Sequence, residues 1–103
     1  MTPHNEETVL SPVETQRIAE LFGALSDPSR VKIVAALLAG DQSVSALAEL
    51  VGLSESAVSH QLRTLRQIRL VRATKVGREV FYALDDDHVS KLLQHGLDHV
   101  RHG

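Results

Sequence analysis

Apolar residues recur every three or four positions along most of this chain, and capping residues and glycines interrupt the recurrence at short intervals. Ile18, Leu21, Phe22 and Leu25 predict an amphipathic helix from about Pro12 to Ser26, preceded by a polar segment, residues 1–11, expected to be disordered. Asp27 and Pro28 supply a cap and a first-position proline for a second helix through Val31, Val34, Leu37 and Leu38, which Gly40 ends. A third, short helix follows Ser43 with Val44, Leu47, Leu50 and Val51 inward, and Gly52 breaks it. Ser54 caps a fourth helix reaching about Ile68, with Leu53 and Val58 spaced as a hydrophobic staple. Beyond it, Leu70 to Thr74 and Glu79 to Leu84 read as two strands around a turn, Lys75-Val76-Gly77-Arg78, in which Gly77 can take positive φ. Val89, Leu92, Leu93, Leu97 and Val100 then predict a last helix from His88 to His102. The pattern describes one domain, residues 12–103, mainly α with a small β-hairpin.

Two short helices separated by Gly52-Leu53-Ser54 are the mark of a helix-turn-helix, and a hairpin placed directly after them makes a wing. On the fourth helix Val58, Leu62 and Leu65 form the buried stripe, which leaves Ser56, Ser59, His60, Arg63 and Gln67 outside. That outer face is small and hydrogen-bonding at its start and basic further on. A recognition helix needs this order, because its first turns meet base edges and later residues meet phosphates.

Charge sharpens the reading. Between Ser54 and Arg78 lie Arg63, Arg66, Arg69, Arg72, Lys75 and Arg78 against Glu55 alone, a local charge of +5. The whole chain carries −2, so the remainder must carry −7. Basic residues often form nothing more than a solvated face, but this concentration inside an acidic chain favours an anionic partner. The candidate DNA contacts are therefore Ser54, Ser56, Ser59, His60 and Arg63, with Lys75 and Arg78 on the wing. Zero cysteines exclude disulfides and thiol chemistry, and three aromatics, Phe22, Phe81 and Tyr82, are too few for a single-strand stacking platform. No apolar run approaches the roughly eighteen residues that span a membrane. Met1 to Ser11 is polar and acidic where a cleaved leader would be basic and then apolar, so the expected location is the cytoplasm.

The last eighteen residues hold Asp86, His88, His99 and His102. Eleven helical residues make three turns plus roughly 20°, so His88 and His99 point the same way, yet they lie about 16 Å apart along the axis. Ligand nitrogens sit only about 2 Å from zinc, and one helix therefore cannot gather all four groups round one ion. Two antiparallel copies related by a twofold axis could, giving two equivalent sites per dimer. His99 and His102, three apart, are neighbours on one face; Asp86 and His88, two apart, share a side only if Asp86 stands at or before the first turn. Exposed histidines are commonly just solvated, and aspartates at a helix start are commonly just caps.

From about Ile18 to His102 the chain resembles the ArsR/SmtB family of bacterial metal-sensing repressors, through Ala24-Leu25-Ser26-Asp27-Pro28-Ser29-Arg30 and Ser56-Ala57-Val58-Ser59-His60-Gln61-Leu62. The resemblance implies a homodimeric winged helix-turn-helix built on the first and last helices, with Ser56, Ser59 and His60 on DNA and the wing tip at the minor groove. It implies that Asp86 and His88 of one subunit join His99 and His102 of the other as metal ligands, as in the subgroup sensing zinc, cobalt or nickel. It further implies a hydrogen bond from the second nitrogen of His99 to the carbonyl of Arg69. Ser43-Val44-Ser45 stands where the arsenic, cadmium and lead subgroup carries cysteines, which argues against that specificity. His95 also lies on the ligand face and is read as solvated. His4, in the N-terminal segment, is a candidate extra ligand should a nickel shell expand.

The function expected from all this is a repressor that holds operator DNA as a metal-free dimer and lets go on binding Zn²⁺, with Co²⁺ or Ni²⁺ also suited to three nitrogens and a carboxylate. The alternative keeps the DNA binding and makes the trigger a non-metal signal, the histidines being plain surface. A small metalloenzyme is disfavoured, because the four ligands close the shell and no His-Glu-x-x-His motif occurs.

Overall fold

The structure, a computed structural model describing residues 9–103, starts every helix in that range at a side-chain cap. The elements run α1 (Pro12–Ala24), α2 (Pro28–Leu37), β1 (Gln42–Ser43), α3 (Val44–Val51), α4 (Glu55–Gln67), β2 (Val71–Val76), β3 (Glu79–Leu84) and α5 (Asp87–His102). Ser11, Asp27, Ser43, Ser54 and Asp86 each accept the backbone N–H three residues on, satisfying a donor that the helix itself cannot pair. At α1 the exchange is mutual, since Glu14 accepts the Ser11 N–H, which makes Ser11 and Glu14 a reciprocal capping pair. His4 and the rest of residues 1–8 lie outside the described residues.

Local chemistry also sets the helix ends. Gly52 closes α3 at φ 72, a left-handed conformation that favours glycine. At the end of α4 the same position falls to Arg69, at φ 61. There the Leu70 N–H reaches the Leu65 carbonyl at 2.9 Å and the Arg69 N–H reaches that of Arg66 at 3.1 Å, a Schellman closure with buried Leu65 and Leu70 as its apolar pair. An arginine in this conformation is strained, and two hydrogen bonds and a buried leucine pair hold it there.

The core joins Ile33, Val34 and Leu37 of α2, Leu47 and Ala48 of α3, and Val58, Leu62 and Leu65 of α4 to Leu70, Val71 and Leu84 at the root of the hairpin. The stripe expected on the fourth helix is thus the buried one. Beside the core lies an antiparallel sheet in the order β1-β3-β2. β1, which the sequence pattern did not announce, pairs Gln42 with Tyr82 and Ser43 with Phe81.

The wing differs from expectation in one respect. Pairing continues through Lys75 with Val80 and Val76 with Glu79, so the turn is two residues, Gly77-Arg78, rather than four. Gly77 at φ 63 in the first turn position gives the hand that a tight hairpin needs. Arg78 therefore sits at the tip, and Lys75 lies back on a strand.

Neither end helix uses up its apolar face. In α1, Val13, Ile18 and Phe22 are exposed, Phe22 at 55%. In α5 no residue is fully buried; Val89 and Leu93 touch the core while Val100 stays 75% exposed. No helix among the described residues is long and apolar enough to cross a membrane.

Candidate nucleic-acid interface and metal site

Packing the Val58, Leu62 and Leu65 side of α4 inward turns Ser56, Ser59, His60 and Arg63 out to solvent, where all four are exposed. Ser54 is exposed too, and its hydroxyl accepts the Ala57 N–H at 3.1 Å. Its own O–H stays available to a phosphate oxygen, because a hydroxyl both donates and accepts. Lys75 and Arg78 are likewise exposed on the wing. All seven candidate DNA residues thus share the accessible surface of the helix and hairpin.

Two residues outside that set hold the surface in place. Gln61 is half-buried, and its Oε1 accepts the Arg30 Nε–H at 3.0 Å, fastening α4 to the start of α2. Arg72, counted by sequence with the anion-facing charges, turns its guanidinium to the carbonyls of Leu84 and Asp85. The Asp85 N–H in turn reaches the Leu70 carbonyl at 3.0 Å. These bonds lash the start of α5 to the root of the wing and the end of α4. Sequence offered no sign of either role, since both depend on residues brought together from afar.

Asp86 stands at the N-cap of α5 with extended backbone, φ −155 and ψ 177. That conformation lets one carboxylate serve two sides. Oδ1 accepts the Val89 N–H at 3.1 Å, and Oδ2 faces His88 Nδ1 at 3.7 Å. Two donors each about 2.0–2.1 Å from a tetrahedral zinc are about 3.3 Å apart, so the pair is already near the spacing of two ligands on one ion. At the other end of α5 the carbonyl of Asp98 lies 2.8 Å from His102 Nδ1. An N–H on that nitrogen leaves Nε2 as the open donor, the tautomer control that ligating histidines usually receive. His99 and His102 follow each other on one helical face and are exposed, as is His95. Among the described residues no three metal-ligating side chains meet within one protomer. The four candidate ligands therefore lie as two pairs, one at each end of α5.

The Val89 N–H holds the Asp86 carboxyl below its ordinary range, and nearby His88 adds to the effect. A carboxyl with a depressed folded pKa contributes stability that is full above its unfolded value and is lost as pH falls through the folded one. Acidification below about pH 4 should accordingly loosen the first turn of α5. Asn caps as well as Asp, so Asp86→Asn should retain the melting temperature near neutral pH, lose this acid dependence and weaken metal binding. Asp86→Ala should lower the melting temperature by a few degrees as well. Thermal melts at several pH values alongside metal titrations separate the two roles. Equal metal affinity in Asp86→Asn would remove the carboxylate from the shell.

The family described as bacterial regulatory proteins, arsR family, matches residues 27–73, which run from the cap of α2 through the recognition helix into the wing. A transcriptional repressor SmtB homolog from Synechocystis is 47% identical over 93 residues, spanning 90% of this chain and 70% of its own. The chain belongs to the ArsR family. A second relative, the HTH-type transcriptional regulator NmtR of Mycobacterium tuberculosis, is 41% identical over 95 residues, covering 89% of this chain and 79% of that one. The crystal structure of AntR, an antimony-specific transcriptional repressor, superposes with a TM-score of 0.81 at 30% identity, covering 99% of this chain and 94% of that one. As an ArsR-family protein with a winged helix-turn-helix, the chain is a DNA-binding transcriptional regulator and not an enzyme.

Proposed function

We propose that this ArsR-family protein is a metal-responsive repressor working as a homodimer in the cytoplasm, holding operator DNA when metal-free and releasing it when Asp86 and His88 of one protomer and His99 and His102 of the other bind one divalent ion. The observation that supports the reading is the placement of the four residues, with Asp86 and His88 3.7 Å apart at one end of α5, His99 and His102 on one face at the other, and no three such side chains gathered within one protomer among the described residues. Three imidazoles and one carboxylate suit Zn²⁺ first; Co²⁺ suits the same geometry, and Ni²⁺ fits if the shell expands. With no cysteine in the chain, the soft ions that prefer thiolates are poor candidates. The bound ion would supply a positive link between two chains.

The rest is done by the protein. The exposed apolar residues of α1 and α5 are the surface a second copy would cover, which brings the two α5 helices together. DNA contact falls to Ser54, Ser56, Ser59, His60, Arg63, Lys75 and Arg78 of each protomer. Successive major grooves are about 34 Å apart, so two recognition helices must keep their separation to bind together. Joining opposite ends of the paired α5 helices fixes the angle between protomers. The Arg72 and Asp85 hydrogen bonds pass that constraint to the wing and to the end of α4. Release then requires only that the joined shape present the two recognition helices less well than the free one.

The test is a titration of metal-free protein onto a duplex selected from a random-sequence library, repeated with Zn²⁺, Co²⁺ and Ni²⁺ at fixed salt. Metal should weaken DNA binding by about 5–150-fold, and DNA should weaken metal binding by the same factor. Tight DNA binding that no divalent ion alters, in a protein whose His99→Ala variant behaves identically, would turn the reading to a non-metal signal.

A further inference from the structure

A cleft of about 170 Å³ separates α4 from the wing, lined by Ser59, Leu62, Arg63, Arg66 and Tyr82. We propose that it seats one backbone phosphate of the operator, gripped by Arg63 and Arg66 from the helix and by the Tyr82 hydroxyl from the sheet. The inference rests on the DNA-binding reading and adds to it Arg66 and Tyr82, neither of which is among the seven DNA contacts named above.

Geometry brings the groups together from two sides. On α4, Ser59, Arg63 and Arg66 are spaced by four and three residues, which confines them to about 60° of the helix circumference. On the hairpin, Val71 pairs with Leu84, Ala73 with Tyr82 and Lys75 with Val80. Side chains alternate along a strand, so these three pairs share one face. Val71 and Leu84 bury that face in the core beneath α4, and Tyr82 is the next residue along it toward the wing tip. Its partner Ala73 is small, which leaves the space beside the phenol open. Lys75, one pair further out, continues the same face with another positive charge.

The lining selects for charge and shape. Two guanidiniums and two hydroxyls offer hydrogen-bond donors, and no carboxylate lines the cleft. The volume is several times the ~30 Å³ that one water occupies in the liquid, enough for a phosphate oxygen cluster with its remaining hydration. Arginine forks match phosphate oxygens two at a time. Ser59 belongs at once to the base-facing surface and to this cleft, so a phosphate held here lies next to the bases that α4 reads. A free phosphate ion offers the same oxygens, but only the polymer brings them in alongside the exposed serines. The alternative duty for Arg66, near the last turn of α4, is to offset the helix dipole, which would affect folding and not DNA.

The experiment uses metal-free full-length protein and a labelled mixed-sequence duplex of about 30 base pairs, with Kd measured across a potassium chloride series, because phosphate contacts do not depend on sequence. Arg66→Gln should weaken binding and reduce the slope of log K against log salt by about one. Tyr82→Phe, which removes a donor but no charge, should weaken binding by about tenfold and leave the slope unchanged. Both should melt as the wild type does, and millimolar inorganic phosphate at constant ionic strength should leave Kd unaltered. Wild-type Kd and slope in both variants, with the parent still bound to the duplex, would overturn the clamp while leaving DNA binding intact. Competition by inorganic phosphate that Arg66→Gln abolishes would make the cleft a free-anion site, and would overturn it equally. Failure of the parent to bind any duplex would instead defeat the regulatory reading beneath it.

Discussion

Mixing a His88→Ala protein with a His99→Ala protein is expected to restore metal binding that neither has alone. In each pure variant both sites of the dimer lack a ligand, and affinity should fall by more than the 10–100-fold that disturbing only the supporting shell costs. In a mixed dimer the damage is unequal. One site pairs the lost His88 with the lost His99, and the other is whole. If subunits exchange freely, about half the dimers are mixed and the solution should take up about a quarter of the wild-type metal. Tetrahedral Co²⁺ absorbs visibly and serves as the readout. Recovery of binding on mixing requires ligands from two chains. A mixture no better than its components, in a preparation shown to exchange subunits, would mean that each chain binds its ion unaided.

Leu65→Ala should be strongly damaging to folding. Leu65 is fully buried, stacks α4 on the core, and offers its carbonyl to Leu70 where α4 passes into the wing. Truncating a buried leucine costs about 2–5 kcal/mol, against total stabilities of about 5–15 kcal/mol. The folding equilibrium should shift by about 30-fold to several thousandfold. Urea unfolding at fixed protomer concentration measures it, since a dimer's stability depends on concentration. A loss below about 0.5 kcal/mol would show that α4 is not anchored through this residue.

The contrast between Leu65 and Phe22 shows how far sequence reading reaches. Both occupy apolar positions of a helical repeat, and the repeat announces each helix. Leu65 is buried in the single chain, whereas Phe22 is 55% exposed. Periodicity tells which face is apolar and is silent on whether the same chain or a second copy covers it.

What the sequence determined by itself is whatever depends on neighbours in the chain. Ser54, Asp27 and Asp86 cap because a side-chain oxygen reaches an N–H three residues on, and Gly77 turns because it lacks a Cβ. The spacing of Asp86, His88, His99 and His102 fixed in advance that one helix could not bring both ends to one ion. Only the tertiary structure decided what rests on distant partners: β1 pairing with β3, the wing continuing to Val76, Gln61 fastened to Arg30, and Arg72 spent on the carbonyls of Leu84 and Asp85. A hydrogen bond between residues far apart in sequence leaves no periodic trace, because either partner alone reads as an ordinary polar side chain.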